Sequence, residues 1–132
     1  DAGTCIKYDF VDASGIYHGG AISPGLNMRF KALHNYTAKL PLLNTSMLNN
    51  STMQVTGDST EHSIISGAAL GTAFEMDGVI NHYIKTFDDL QVVLTGGDAS
   101  FFEKHLKNKI FALPNLVLYG LHVILDHNLK NN

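Results

Sequence analysis

Between residues 59 and 85, the side chains of Ile65, Ala69, Ala73, Met76, Ile80 and Tyr83 recur at steps of three and four. That spacing places them on one face of a long α-helix. An apolar face of this kind needs a second layer to lie on, and with the strands that precede and follow it in the sequence an α/β architecture is expected. Asp58 and Glu61 stand at capping-box spacing ahead of it. Gly67, Gly71 and Gly78 fall on the opposite face with Phe74 between them. Each glycine weakens a helix by about 1 kcal/mol relative to alanine. Close packing of that second face, against another subunit for example, would offset the loss.

Strands for the sheet stand on either side. In "CIKYDFVD", Ile6, Tyr8 and Phe10 alternate with Lys7 and Asp9, the period of a strand with one buried face. "DASG" at 12–15 suits a type I turn closed by a left-handed glycine, and "IYHGGAI" returns as the second strand of a hairpin. The paired Gly19 and Gly20 mark a close approach of another backbone or a ligand. Ser23 and Pro24 predict a helix start. Its apolar face is Leu26, Phe30, Leu33 and Tyr36 or Thr37, and Pro41 ends it. Residues 44–57 read as a polar surface loop. "LQVVLTGGD" is a short strand ending in a glycine turn, "ASFFEKHL" a helix, and a last amphipathic helix begins near Pro114.

Composition narrows the class. The 132 residues suit one domain; 45% are hydrophobic and 16% charged, as in an ordinary globular chain. A net charge of −3 without a basic block gives no electrostatic reason to propose nucleic acid or an anionic membrane. Cys5 is the single cysteine, which excludes an internal disulfide and a cysteine-rich zinc site. A reducing, cytoplasmic setting is the expectation. No 18-residue apolar run and no signal-peptide pattern is seen. The seven histidines form no H-E-x-x-H pattern.

Two turns carry candidate chemistry: "DAGT" at 1–4 and "TGGD" at 95–98. Both set glycine beside a hydroxyl and an acid. Amides in such turns can point at phosphate oxygens while the hydroxyl donates a further bond. An acid facing phosphate would need a cation between them. Open α/β sheets bind ligands at the carboxyl ends of their strands, where "TGGD" falls. Either turn alone is also an ordinary turn.

Longer strings are more specific. "DAGTCIKYDFVDASGIYHGGAISPGLNMRFKAL", "STEHSIISGAALG" and "VVLTGGDASFF" followed by "LKNKIFALPNLVLYGL" resemble type III pantothenate kinase, of the acetate and sugar kinase/actin superfamily. The resemblance covers nearly the whole chain except the region around 42–57. It implies a ribonuclease-H-like domain, a mixed sheet with helices packed on it, and specifically the second of two duplicated domains. The first would carry a D-x-G-N-T phosphate loop and a G-x-D-R segment with the general base; neither string occurs in these residues. The chain then begins inside a motif, with most of the strand leading into Asp1 lying upstream.

Residue by residue, the resemblance implies that Asp1 holds a monovalent cation, potassium or ammonium. Gly3 and Thr4 would contact ATP, which magnesium accompanies, and Gly96 and Gly97 would form the nucleotide-side turn. Thr60, in "TEHSIISG", would touch pantothenate. No catalytic residue carries over, and the chain is expected to be inactive alone. A homodimer is implied, with the pantothenate pocket near the subunit interface, and the small-residue face at Gly67 and Gly71 offers a place for that contact. The alternative is a truncated, non-catalytic nucleotide-binding or regulatory module. On spacing alone Thr60 is a first-turn helix residue, Cys5 a small buried side chain, Glu75 and Asp77 solvated acids, and Phe101 and Phe102 core.

Overall fold

The computed structural model describes residues 1–50 and 53–130. Strands β1 (Cys5–Val11) and β2 (Tyr17–Pro24) form an antiparallel hairpin. Helix α1 (Leu26–Asn35) follows, then a 3-10 turn at Thr45–Asn50. The long helix comes as α2 (Thr60–Ile65), a π-helical turn at Ser66–Leu70, and α3 (Gly71–Thr86). Short elements β3 (Val93–Leu94), α4 (Ala99–Glu103) and β4 (Phe111–Ala112) precede α5 (Leu116–Lys130). The expected mixed sheet is present among the described residues as two separate pairs, β1 with β2 antiparallel and β3 with β4 parallel.

The hairpin follows from its turn. Gly15 has φ +80, the left-handed geometry that "DASG" predicts. Asp12 stiffens the turn by accepting from the Ser14 and Ile16 amides. A Cβ on Gly20 would lie 1.5 Å from the Tyr8 carbonyl oxygen, so the close approach expected at the paired glycines is to the neighbouring strand. Strand β2 runs on through Ser23 and Pro24, and the helix starts one residue after Gly25. Ser23 therefore does not cap it. A side chain on Gly25 would collide with the Gly3 and Thr4 carbonyls, so that glycine lets α1 begin directly on the first turn.

Helix α1 ends at Asn35, well before Pro41. The Thr37 hydroxyl donates to the Leu33 carbonyl at 2.6 Å and the His34 ring bonds the Leu40 carbonyl at 2.7 Å, which turns the chain away. Leu26 and Phe30 are fully buried as the spacing predicts, while Tyr36 is exposed. The region read as a loop contains the 3-10 turn, whose Leu48 is buried; its residues 51 and 52 lie outside the described residues.

The long helix forms over nearly the expected span, and Ile65, Ala69, Ala73, Met76 and Ile80 are all buried. Its N-cap is Ser59 rather than Asp58: the Ser59 hydroxyl accepts from the His62 amide at 3.1 Å, and the Asp58 carboxylate pairs with the His62 ring instead. A Cβ added at Gly67, Gly71 or Gly78 would have nothing within 4 Å, so the small-residue face is open. The core gathers Ile6, Leu26, Phe30, Ala73, Leu94 and Phe102 between hairpin, helices and β3. Phe102 is buried and Phe101 packs against this core, as expected.

The final helix departs from expectation. It starts at Leu116, but none of its residues is buried, and Leu118, Val123 and Ile124 stand exposed. The chain exposes 9077 Å², against about 6,800 Å² for a compact monomer of this mass. No helix among the described residues is long and apolar enough to cross a membrane.

Candidate functional site

The two glycine turns, 94 residues apart at Asp1 and Thr95 in the sequence, close on each other. Ala2, fully buried, donates its amide to the Thr95 carbonyl at 2.7 Å, and its own carbonyl accepts from the Asp98 amide at 2.8 Å. Within the first turn, the Gly3 amide reaches the Cys5 carbonyl at 3.1 Å. The Thr4 carbonyl accepts from Gly25 at 3.1 Å, leaving the threonine exposed to solvent. These bonds use the backbone of both turns to hold them in one place, at the end of β3 and beside the hairpin.

The neighbouring glycines of "TGGD" have different physical roles. Gly96 has φ +103, and a Cβ there would lie 2.4 Å from the Ala2 carbonyl oxygen and 2.5 Å from Asp1 Oδ1. Only glycine fits. Gly97 has an ordinary φ, is exposed, and would place a Cβ in open space. Gly96 thus joins the turns, and Gly97 presents bare backbone to whatever lies outside. Burial pushes the Asp98 carboxyl above its ordinary range.

Asp1 sits at the junction. Its backbone nitrogen donates to the Lys7 carbonyl at 2.9 Å, and its Oδ2 lies 3.3 Å from Lys7 Nζ. A monovalent cation needs several oxygen ligands. Among the described residues no group of three or more His, Cys, Asp and Glu side chains comes together, and the Asp1 carboxylate already faces an ammonium. These residues alone do not make a cation cage.

Thr60 is elsewhere. It is the exposed first residue of α2 and opens on a cavity of about 720 Å³ with Arg29, Leu33, Leu40, Ser63 and Gly67. Asp1 lines a different groove of about 400 Å³ between β1, α3 and β3. The π-helical turn, a distortion frequent at functional sites, brings Gly67 and Ala68 to the wall of the Thr60 cavity.

Three readings of single residues are corrected. Glu75 is not a solvated acid. It accepts from Tyr8 Oη at 3.0 Å, Ser23 Oγ at 2.5 Å and Arg29 Nη2 at 2.6 Å, tying the hairpin, α1 and α3 together. Burial alone would raise its pKa, but the Ser23, Arg29 and Tyr8 donors outweigh burial and hold it below the glutamate range. Burial, then the Glu75 charge, pushes the Tyr8 hydroxyl far up. Asp77 is buried and accepts from the Lys107 and Asn108 amides and from Asn108 Nδ2, the last at 2.7 Å. Cys5 is half-buried, with Sγ 3.9 Å from Met28 Sδ, rather than enclosed.

The type III pantothenate kinase family model matches residues 1–82. The chain belongs to the type III pantothenate kinase family. It is 47% identical over 132 residues to a type III pantothenate kinase of Flavobacterium johnsoniae, covering 100% of this chain and 52% of that protein. With the Phocaeicola vulgatus enzyme of the same name it shares 50% over 130 residues, again 52% of the relative. The chain therefore spans about half the length of the curated relatives it matches. A solved Baf-family structure from Campylobacter jejuni superposes with a TM-score of 0.63 at 23% identity. The match takes in 98% of this chain and 57% of that one, and shows a shared mixed α/β domain.

Proposed function

We propose that this chain is the C-terminal, ribonuclease-H-like half of an enzyme that phosphorylates pantothenate with ATP. The product would be 4′-phosphopantothenate, on the route to coenzyme A. The observation that carries the reading is the joining of "DAGT" to "TGGD" through Ala2. It gathers two glycine turns with Thr4 and Gly97 exposed on them, in a chain of this kinase family. Phosphoryl transfer depends mainly on positioning and charge neutralisation. Here Gly3 and Thr4 would contact the phosphates, and Gly97 would let the nucleotide lie against backbone. Thr60, on the neighbouring cavity, would hold pantothenate. Magnesium would arrive with ATP, and a potassium or ammonium ion at Asp1 would need further ligands from outside these residues. The general base belongs to the other half. The open face at Gly67 and Gly71 is where a second subunit would pack.

The test is ATP-dependent conversion of pantothenate by the protein at its natural length, beside the 132-residue chain. Turnover by the former and none by the latter is expected. An inactive natural-length protein that still binds ATP would instead favour the regulatory module, and turnover by the 132 residues alone would refute the division of labour.

A further inference from the structure

The cavity that Thr60 opens on has one charged wall. Among the described residues that line it, Arg29 alone carries a charge; Leu33, Leu40 and Ile64 give an apolar body, and Thr60 and Ser63 add hydroxyls. Such a lining fits a ligand with an aliphatic body, polar groups along it and an anion at one end. A guanidinium has five N–H donors. In Arg29, Nε donates to the Pro24 carbonyl at 2.8 Å, and Nη2 donates to Glu75 Oε2 at 2.6 Å and lies 3.4 Å from Ser23 Oγ. Nη1 keeps its hydrogens without a partner among the described residues. Glu75 in turn spreads its charge over Tyr8 and Ser23 as well as Arg29. The guanidinium is thus fixed in place but not saturated, and a side chain so held loses little freedom when it binds a second anion. Its side chain stays 23% exposed, so an anion can reach it.

We infer that Arg29 is a binding residue of this cavity and holds the carboxylate of the acceptor, with Glu75 as the residue that positions it. The inference rests on the proposed kinase reading, which puts pantothenate at Thr60. Pantothenate carries one carboxylate, at the end of the molecule opposite the hydroxyl that takes the phosphate. Bound at Nη1, that carboxylate lies against α1, the aliphatic part runs over the leucines, and the reacting hydroxyl points away from α1. Thr60 and Ser63 meet the polar groups between the two ends. The cavity then selects the acid over its uncharged derivatives, because a ligand without the anion leaves the Nη1 donors unpaired. Glu75 comes from α3 and Arg29 from α1, so the ion pair that ties these helices also sets where the acceptor ends.

The test compares KM for pantothenate, KM for ATP and competition by the uncharged amide of pantothenate, all in the natural-length protein. Arg29→Gln should raise KM for pantothenate about tenfold or more, the worth of a charged hydrogen bond. KM for ATP should stay unchanged, and competition by the amide should change by less than about twofold, since the amide never used the charge. Because Arg29 also ties α1 to α3, a second pair of variants leaves its bonds intact. Ala32 is exposed and lines the same cavity, one turn along α1. In Ala32→Asp the new carboxylate competes for Arg29, so KM for pantothenate should exceed that of the equally shaped, uncharged Ala32→Asn about fivefold or more. The amide should compete equally in both. No turnover of pantothenate by the unsubstituted protein would remove the kinase reading and this inference with it. Turnover with the same KM for pantothenate in Arg29→Gln, with equal values in Ala32→Asp and Ala32→Asn, or with acid and amide weakened alike would overturn the inference and leave the kinase reading standing.

Discussion

Gly96→Ala and Gly97→Ala add the same methyl group one residue apart, yet the structure assigns them different costs. At position 96 the backbone has φ +103, and the new Cβ would meet the Ala2 carbonyl oxygen at 2.4 Å. Holding a non-glycine residue in such a conformation costs about 1–3 kcal/mol. Relieving the clash must displace Ala2, whose amide and carbonyl bond Thr95 and Asp98. Each lost bond adds about 1 kcal/mol. The expected destabilisation for Gly96→Ala is therefore about 3–5 kcal/mol. At position 97 the methyl enters open space at an ordinary φ, so the change should stay within about 1 kcal/mol, with removal of glycine freedom favouring the variant. Denaturant unfolding of the natural-length protein, followed by fluorescence and by amide exchange at Asp98, measures both. Loss of Asp98 protection in the first variant alone is expected. A Gly96→Ala cost below about 1 kcal/mol, or equal costs at both sites, would refute the claim that Gly96 joins the two turns.

Other substitutions test the remaining contacts. Asp77→Ala removes the acceptor for the Lys107 and Asn108 amides and should cost about 2–4 kcal/mol, with faster amide exchange at those two residues; unchanged exchange would contradict it. Glu75 has a lowered folded-state pKa, so its contribution is full above the unfolded value of about 4.3. It is lost as pH falls through the folded value. Stability of the native protein should thus drop more steeply below about pH 5 than that of Glu75→Gln, and parallel pH curves would count against the cluster. Thr60→Ala should raise KM for pantothenate by up to about tenfold, the worth of one hydrogen bond, and leave KM for ATP unchanged. The reverse pattern in steady-state kinetics would count against the proposed role of Thr60 in holding pantothenate.

Local signals are readable in the sequence where they are long or stereochemically demanding. The helix over 60–86 declares itself because its apolar face repeats for many turns, and the hairpin because Gly15 answers the needs of its turn. Helix ends are less legible. Ser23 and Pro24 suit a helix start and a strand end equally, and only the close fit of Gly25 on Gly3 and Thr4 decides between them. Strand β4 has two residues, too few for any period. Glu75 escapes sequence reasoning because its partners lie 46 to 67 residues away. Asp77 does carry a signal, since it stands four residues after Ala73 and three before Ile80, on the buried face. Composition and periodicity find each glycine turn but not their meeting. That meeting is visible only in the structure, in the Ala2 hydrogen bonds to Thr95 and Asp98.

The central claim is that the joined turns present backbone to a nucleotide. It is tested most directly by KM for ATP in the natural-length protein carrying Gly97→Val, beside wild type with matched thermal stability. The account predicts a rise in KM for ATP of roughly tenfold or more, with KM for pantothenate unchanged, because the added side chain fills space that nothing among the described residues occupies. An unchanged KM for ATP in a folded, active variant would contradict it.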